Sequence, residues 1–233
     1  NAAAALGLDA RPGDVVVSLG TSGTVFAATT AIVGDPSGIV AGFADATGGF
    51  LPLVCTLNAA RVLDSAAGLL GVSHDELGAL ALQAQPGAGG AVLVPYFEGE
   101  RTPNLPDATA TLSGLTLANT TRSNLARAAI EGMLGGLAAG LDAISELGIQ
   151  THRILLIGGA AANPGVQAVA AQVFDLPVQV PAPGEYVADG AARQAAWVLT
   201  GHRPDWPVEL VGAPLPDPHP EILSAYRRAA GHY

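Results

Sequence analysis

The run Asp14-Val15-Val16-Val17-Ser18-Leu19-Gly20-Thr21-Ser22-Gly23-Thr24-Val25-Phe26 constrains this chain more than any other segment. β-Branched and aromatic residues on both sides of a short polar turn read as strand, tight turn, strand. Gly20 and Gly23 would permit positive φ and let backbone N–H groups converge, and Thr21 and Ser22 place two hydroxyls between them. Such a turn suits an anion, phosphate before others. It also suits a plain hairpin made of good turn residues. The rest of the chain has to decide.

Composition removes several function classes. With 233 residues, 49% hydrophobic and 13% charged, the chain is large enough for a real core and too apolar for disorder. All ten basic residues are Arg, which excludes a P-loop lysine and a Schiff-base lysine. A net charge of −10 and a pI near 4.7 argue against nucleic acid or an anionic membrane as partner. The single cysteine, Cys55, rules out an internal disulfide and a cysteine zinc cluster, and its apolar setting predicts a buried structural thiol. No stretch of about 18 apolar residues is free of Gly, Ser or Thr, so no membrane span is expected. With no signal-peptide pattern, the expected location is cytoplasmic. The chain opens on Asn1, which predicts further sequence upstream.

The pattern is β-rich early and α/β later. A first hairpin is expected over 14–31 and a second over 39–43 and 50–54, joined through Gly48-Gly49. Helices are expected at 58–70 and, from a Ser73/Glu76 capping box, to about residue 84. That box also explains His74-Asp75-Glu76 as a solvated first turn rather than a metal site. Residues 91–95 read as a short buried strand and 96–112 as a loop. A long helix follows over 123–147, whose Gly132, Gly135, Gly136 and Gly140 predict close packing of another backbone. Strands at Arg153–Ile157 and 178–180 alternate with helices at 164–174 and 189–200. Residues 204–233 read as a Pro-rich surface tail ending in a short helix near 221–230.

The strand at Arg153–Ile157 runs into Gly158-Gly159-Ala160-Ala161-Ala162-Asn163, with Pro164 at the following helix start. Glycines at a strand end let a flat ring or a phosphate approach the backbone. The spacing does not match a dinucleotide fingerprint. Asn163 is a helix cap or a ligand contact, and Gly158-Gly159 a tight connection or a nucleotide contact. Neither glycine motif decides by itself.

Together, the GTSG hairpin and the later strand–GG–helix resemble the nucleotide site of the actin-like ATPase (ribonuclease H-like) fold, an α/β domain with a mixed sheet flanked by helices. More narrowly, residues 1–203 resemble the C-terminal nucleotide-binding domain of FGGY-family carbohydrate kinases. The most specific support is Leu112, Gly114-Leu115, Asn124-Leu125 and Ala128-Ala129-Ile130-Glu131, which matches the family's C-terminal signature. Pro95-Tyr96-Phe97-Glu98-Gly99-Glu100-Arg101-Thr102-Pro103 looks like the cleft-facing loop of the family's xylulokinase members.

The resemblance implies ATP, Mg²⁺ and phosphoryl transfer to a sugar hydroxyl, D-xylulose giving D-xylulose 5-phosphate. It implies Gly20, Thr21, Ser22 and Gly23 at the outer phosphates. Gly159 and Asn163 would lie at adenine and ribose, with Gly158 and Ala160 beside them and Asn58 lining the adenine pocket. Gly190-Ala191-Ala192 would pack beneath the nucleotide, and Glu131 reads as a structural ion pair. The family's general base is an Asp in a Gly-Gly-Asp run directly before the segment that residues 1–5 resemble. The chain is therefore expected to lack that base and the N-terminal sugar-binding domain. No catalytic residue or metal ligand is assigned within it; Asp9, Asp14, Asp45 and Asp189 are present, but spacing favours none of them. Open alternatives are a non-catalytic nucleotide-binding or homodimerisation module, or a kinase for ribulose, gluconate or glycerol. A Ser22 hydrolase would need Gly where Thr24 stands.

Overall fold

The β-branched run folds as the hairpin its pattern predicts. In a computed structural model describing residues 1–231, Asp14–Leu19 (β1) pairs antiparallel with Gly23–Ala27 (β2). Leu53–Thr56 (β3) pairs antiparallel with β2. Arg153–Ile157 (β6) lies parallel to β1, and Val178–Pro181 (β7) lies parallel to β6. Leu210–Gly212 (β8) closes the edge antiparallel to β7. The resulting mixed sheet has the order β3-β2-β1-β6-β7-β8. Val92–Val94 (β4) and Thr111–Ser113 (β5) form a separate two-stranded sheet.

Strand alternation divides the core. Val15, Val17, Leu19, Val25, Val54, Ile154 and Leu156 face a helical layer on one side. That layer is Ala60–Leu70 (α2), His74–Ala81 (α3), Arg122–Glu146 (α4) and Pro164–Val173 (α5). Val16, Phe26, Leu53 and Leu155 face the other side, against Ala4, Ala5 and Leu8. There Ala2–Gly7 (α1) crosses Tyr186–Thr200 (α6), and a methyl at Gly190 would fall on the Ala3 carbonyl oxygen. Gly190 is thus a packing residue between two helices.

Several sequence expectations change. Residues 39–43 form no strand; only isolated bridges at Ala41 and Ala44 reach Leu53 and Phe50. The cause is local capture: the Asp35 carboxylate accepts the Ser37 and Val40 N–H groups, folding the approach into a turn. Helix α2 begins two residues after Asn58, whose side chain is buried in another contact rather than capping the helix. Residues 111 and 112, expected as loop, belong to β5. The 204–220 stretch is tied into the fold through β8 and through buried Arg193, which donates to the Pro204 and Trp206 carbonyls. Ile222 and Tyr226 of Pro220–Ala230 (α7) are buried, and the Tyr226 ring fills the space left by Gly135 and Gly136. Backbone packing on α4, expected from its glycines, occurs at Gly132 against Leu93.

Helix α4 is long and apolar enough to cross a bilayer by length and composition, but most of it is buried against the sheet. Thr121 caps it by accepting the Asn124 N–H. On the same helix Arg127 donates to Glu131 at 2.6 Å, both buried, and Gly87 N–H donates to Glu131 at 2.9 Å. Burial raises the Glu131 carboxyl above its ordinary pKa, opposed by those hydrogen bonds. Gly114 closes on the Gly90 carbonyl, and Asn124 donates to the Asn119 carbonyl. The 110–131 signature is therefore a clasp joining α4 to the β4–β5 pair.

One ion pair sets the register of the parallel strands. Asp14 and Arg153 are partners in the β1–β6 ladder, joined by bonds of 2.7 and 2.8 Å, and Arg153 donates to Gln179 of β7 at 2.7 Å. Arg153→Ala should lower the unfolding free energy by about 1–3 kcal/mol, less than a fully buried pair because Arg153 is partly solvated. Urea denaturation at constant m-value checks this; an unchanged midpoint would refute it.

Candidate functional site at the ends of β1 and β6

Parallel pairing carries β1 and β6 to the same end of the sheet, with Ser18 opposite Ile157. The next residue of each strand meets the other motif. Gly158 has φ +98°, and a Cβ there would stand 2.5 Å from the Leu19 carbonyl oxygen. Leu19 directly precedes Gly20. The two glycine motifs, far apart in sequence, are thus neighbours in space, and only glycine fits both the φ and the gap at 158.

The GTSG turn has its own constraint. Neither Gly20 nor Gly23 adopts positive φ, so the conformational reason expected from sequence does not apply. Gly23 is needed for space: a Cβ would lie 2.5 Å from Thr56 Oγ1 and 2.7 Å from Leu137 Cδ2. At Gly20 the nearest atom to such a Cβ is Ser22 O, at 3.4 Å. Thr21 and Ser22 are exposed. The turn is tied to α2 by Ala60 N–H donating to Gly20 O at 2.9 Å.

Beyond Gly158, Gly159–Ala162 makes a 3-10 turn leading to α5. Gly158 and Gly159 are exposed, Ala160 is half-buried, and a methyl at Gly159 would meet nothing within 4 Å. A cavity of about 440 Å³ opens here, walled by Gly158, Gly159 and Ala162 on one side and Pro183, Gly184 and Tyr186 on the other. Its floor turn is held by Gln167 Nε2 donating to Ala161 O. A cavity of about 510 Å³ between α4, α5 and α7 shares no residue with either motif.

The two asparagines are occupied. Asn163 Oδ1 accepts from Gly165 N–H at 2.8 Å and caps α5, while its Nδ2 donates to His74 O at 2.7 Å. It joins α5 to α3 and does not line the cavity. Asn58 is buried, donating to Gly99 O at 2.8 Å and Glu100 Oε2 at 2.9 Å. It adjoins the GTSG turn through Thr56, the ladder partner of Gly23. Glu100, also buried, enters the sequence reading only as part of the 95–103 loop and without a role; in a loop that also carries Glu98, Arg101 and Asp107, nothing local marks it as the buried acid.

The carboxylates weighed from sequence differ in setting. Asp9 bonds Arg11, Arg193 and Arg203, and Asp14 bonds Arg153 at the opposite end of β1. Asp45 is partly desolvated, yet the Thr47 and Gly49 donors hold its carboxyl below the usual range. Asp189 is exposed on α6, where it adds to burial in raising the Tyr186 pKa. Cys55 is half-buried among the apolar residues beneath α1. Among the described residues, no three His, Cys, Asp or Glu side chains gather as a metal site.

Gly23→Ala should displace Leu137 and Thr56 and cost about 1–3 kcal/mol of stability, whereas Gly20→Ala should cost under about 1 kcal/mol. Thermal unfolding of the two variants checks the contrast; equal losses would mean that space at Gly23 is not the constraint.

Residues 15–199 match the FGGY family of carbohydrate kinases, C-terminal domain. A xylulose kinase of Streptomyces rubiginosus is 47% identical over 205 residues, 88% of this chain and 41% of that protein. One of Streptomyces coelicolor is 45% identical over 202 residues, 86% of this chain and 40% of that protein. Among solved structures, xylulose kinase from Bifidobacterium adolescentis has a TM-score of 0.91 at 51% identity, over 99% of this chain and 46% of that one. The chain therefore spans about two-fifths of the length of these curated relatives. The match runs from the GTSG hairpin through the strand–GG–helix to the end of α6, the elements that build the sheet end described above, and the chain belongs to the FGGY family of carbohydrate kinases.

Proposed function

We propose that this chain supplies the nucleotide-binding half of a kinase that transfers the γ-phosphoryl of ATP to a hydroxyl of D-xylulose. The observation that carries the reading is the close approach of Gly158 to Leu19, which puts the GTSG turn and the Gly158–Gly159 backbone at one sheet end. The xylulose kinases among its relatives support the choice of sugar.

Each residue's role follows from its setting. Gly20, Thr21, Ser22 and Gly23 offer backbone N–H groups and two exposed hydroxyls to the outer phosphates, donors suited to charge that grows during transfer. Gly159, with open space where a side chain would stand, admits a flat base against the backbone, with Gly158 and Ala160 at its margin. Asn163 acts indirectly, holding the start of α5 against α3, and Asn58 anchors to Gly99 and Glu100 the connection that follows Thr56, the ladder partner of Gly23. Mg²⁺ neutralises phosphate charge in such reactions. The GTSG turn holds hydroxyls and amides but no carboxylate, so it would take the phosphate oxygens rather than the ion itself.

Of the carboxylates weighed from sequence, Asp9 and Asp14 are committed to arginines and Asp45 to its own turn, while Asp189 is exposed on α6. The family resemblance supports a general base supplied from outside these residues. The 233-residue chain is expected to bind Mg·ADP and to release no ADP from ATP, Mg²⁺ and D-xylulose. Calorimetry and a coupled ADP assay check both halves. Absence of binding at millimolar Mg·ADP would overturn the nucleotide reading, and steady xylulose-dependent turnover would overturn the assignment of the base elsewhere.

A further inference from the structure

Glu100 is 3% exposed, although a buried carboxylate is costly unless its oxygens are satisfied. Three donors converge on it. Oε1 accepts the Leu57 and Arg101 N–H groups at 2.5 and 2.7 Å, and Oε2 accepts Asn58 Nδ2 at 2.9 Å. Leu57 and Asn58 connect β3 to α2. That same short connection braces the GTSG turn at both ends: Thr56 is the ladder partner of Gly23, and Ala60 N–H donates to Gly20 O. At the rim, Glu98 pairs with Arg61 in the first turn of α2, so the 98–101 segment grips this connection at two points.

We propose that Glu100 is a positioning residue for the phosphate turn. Its carboxylate holds the 56–60 connection, and that connection sets the backbone geometry of Gly20, Thr21, Ser22 and Gly23. This inference rests on the reading of GTSG as a phosphate cradle. The chemistry requires a carboxylate because an ionised carboxylate only accepts, while an amide would turn an NH₂ group toward at least one of the three donors. Donors fixed before the ligand arrives lower the cost of reorganising around phosphate charge. Glu100 touches no ligand in this role.

Glu100→Gln in the 233-residue chain tests the coupling. The Ala60 amide, which bonds Gly20 O, should exchange with solvent deuterium about tenfold faster, the effect of weakening one charge-assisted hydrogen bond. Affinity for Mg·ADP should fall about tenfold while affinity for adenosine, which lacks phosphate, stays at the wild-type value. Glu131→Gln, at another buried carboxylate, on α4, should leave both readouts unchanged. Should Glu100→Gln fail to fold, Glu100→Asp, which keeps the charge on a shorter stem, should show the same changes at smaller size. Unchanged Ala60 exchange, equal losses for adenosine and Mg·ADP, or the same response in Glu131→Gln would each overturn the proposal. If the wild-type chain binds no Mg·ADP, the nucleotide reading falls, and Ala60 exchange still decides whether Glu100 sets the turn.

Discussion

The parallel pairing of β1 with β6 is the constraint on which the rest of the structure depends. These strands are separated by most of the chain, and nothing local holds them together. Their register is fixed at one end by Asp14 and Arg153, ladder partners joined by two hydrogen bonds. At the other end Gly158 closes on the Leu19 carbonyl. A slip of β6 by one residue would turn Ile154 and Leu156 away from the face that Val15 and Val17 share and would separate Gly158 from Leu19. The ion pair at the start of the strands and the glycine contact at their ends therefore enforce one geometry from two sides. The candidate site is a consequence of that register.

Arginine does the same work elsewhere in this lysine-free chain. Its planar fork reaches several acceptors at once, which a lysine ammonium does less well. Arg153 spans three parallel strands. Arg193, 1% exposed, gathers the Leu6, Pro204 and Trp206 carbonyls and so binds α1, α6 and the C-terminal segment into one layer. Arg127 and Glu131 join α4 to the turn at Gly87. These groups, Arg127 and Arg193 buried and Arg153 partly so, give direction to a core that is otherwise largely aliphatic, side chains that pack without specifying partners.

Much of the fold was legible because its signals are local. The Ser73/Glu76 box starts α3, Asn163 followed by Pro164 starts α5, and the runs Val15-Val16-Val17, Thr24-Val25-Phe26 and Ile154-Leu155-Leu156-Ile157 mark β1, β2 and β6. The errors share one cause, competition from contacts distant in sequence or from unread turn chemistry. Asn58 does not begin a helix because Gly99 and Glu100 take its side chain. Residues 39–43 do not form a strand because Asp35 and Asp45 capture nearby N–H groups. The Pro-rich segment near 204–220 supplies an edge strand because β7 offers it an unpaired side. The 110–131 signature, the strongest family signal, is seen here in packing and hydrogen bonding around α4.

By itself the sequence determined the two glycine motifs, the helices with caps and the absence of lysine and disulfide chemistry, since each follows from residue identity and short spacing, and it carried the resemblance to the FGGY kinases. Only the tertiary structure decided that the motifs meet, that Gly23 is required for space rather than for φ, and that Glu100 is buried against the connection from β3 to α2. Those depend on which surfaces touch once the sheet closes. A glycine in sequence permits both a positive φ and a close contact, and the neighbour that fills or spares its missing methyl determines which one applies.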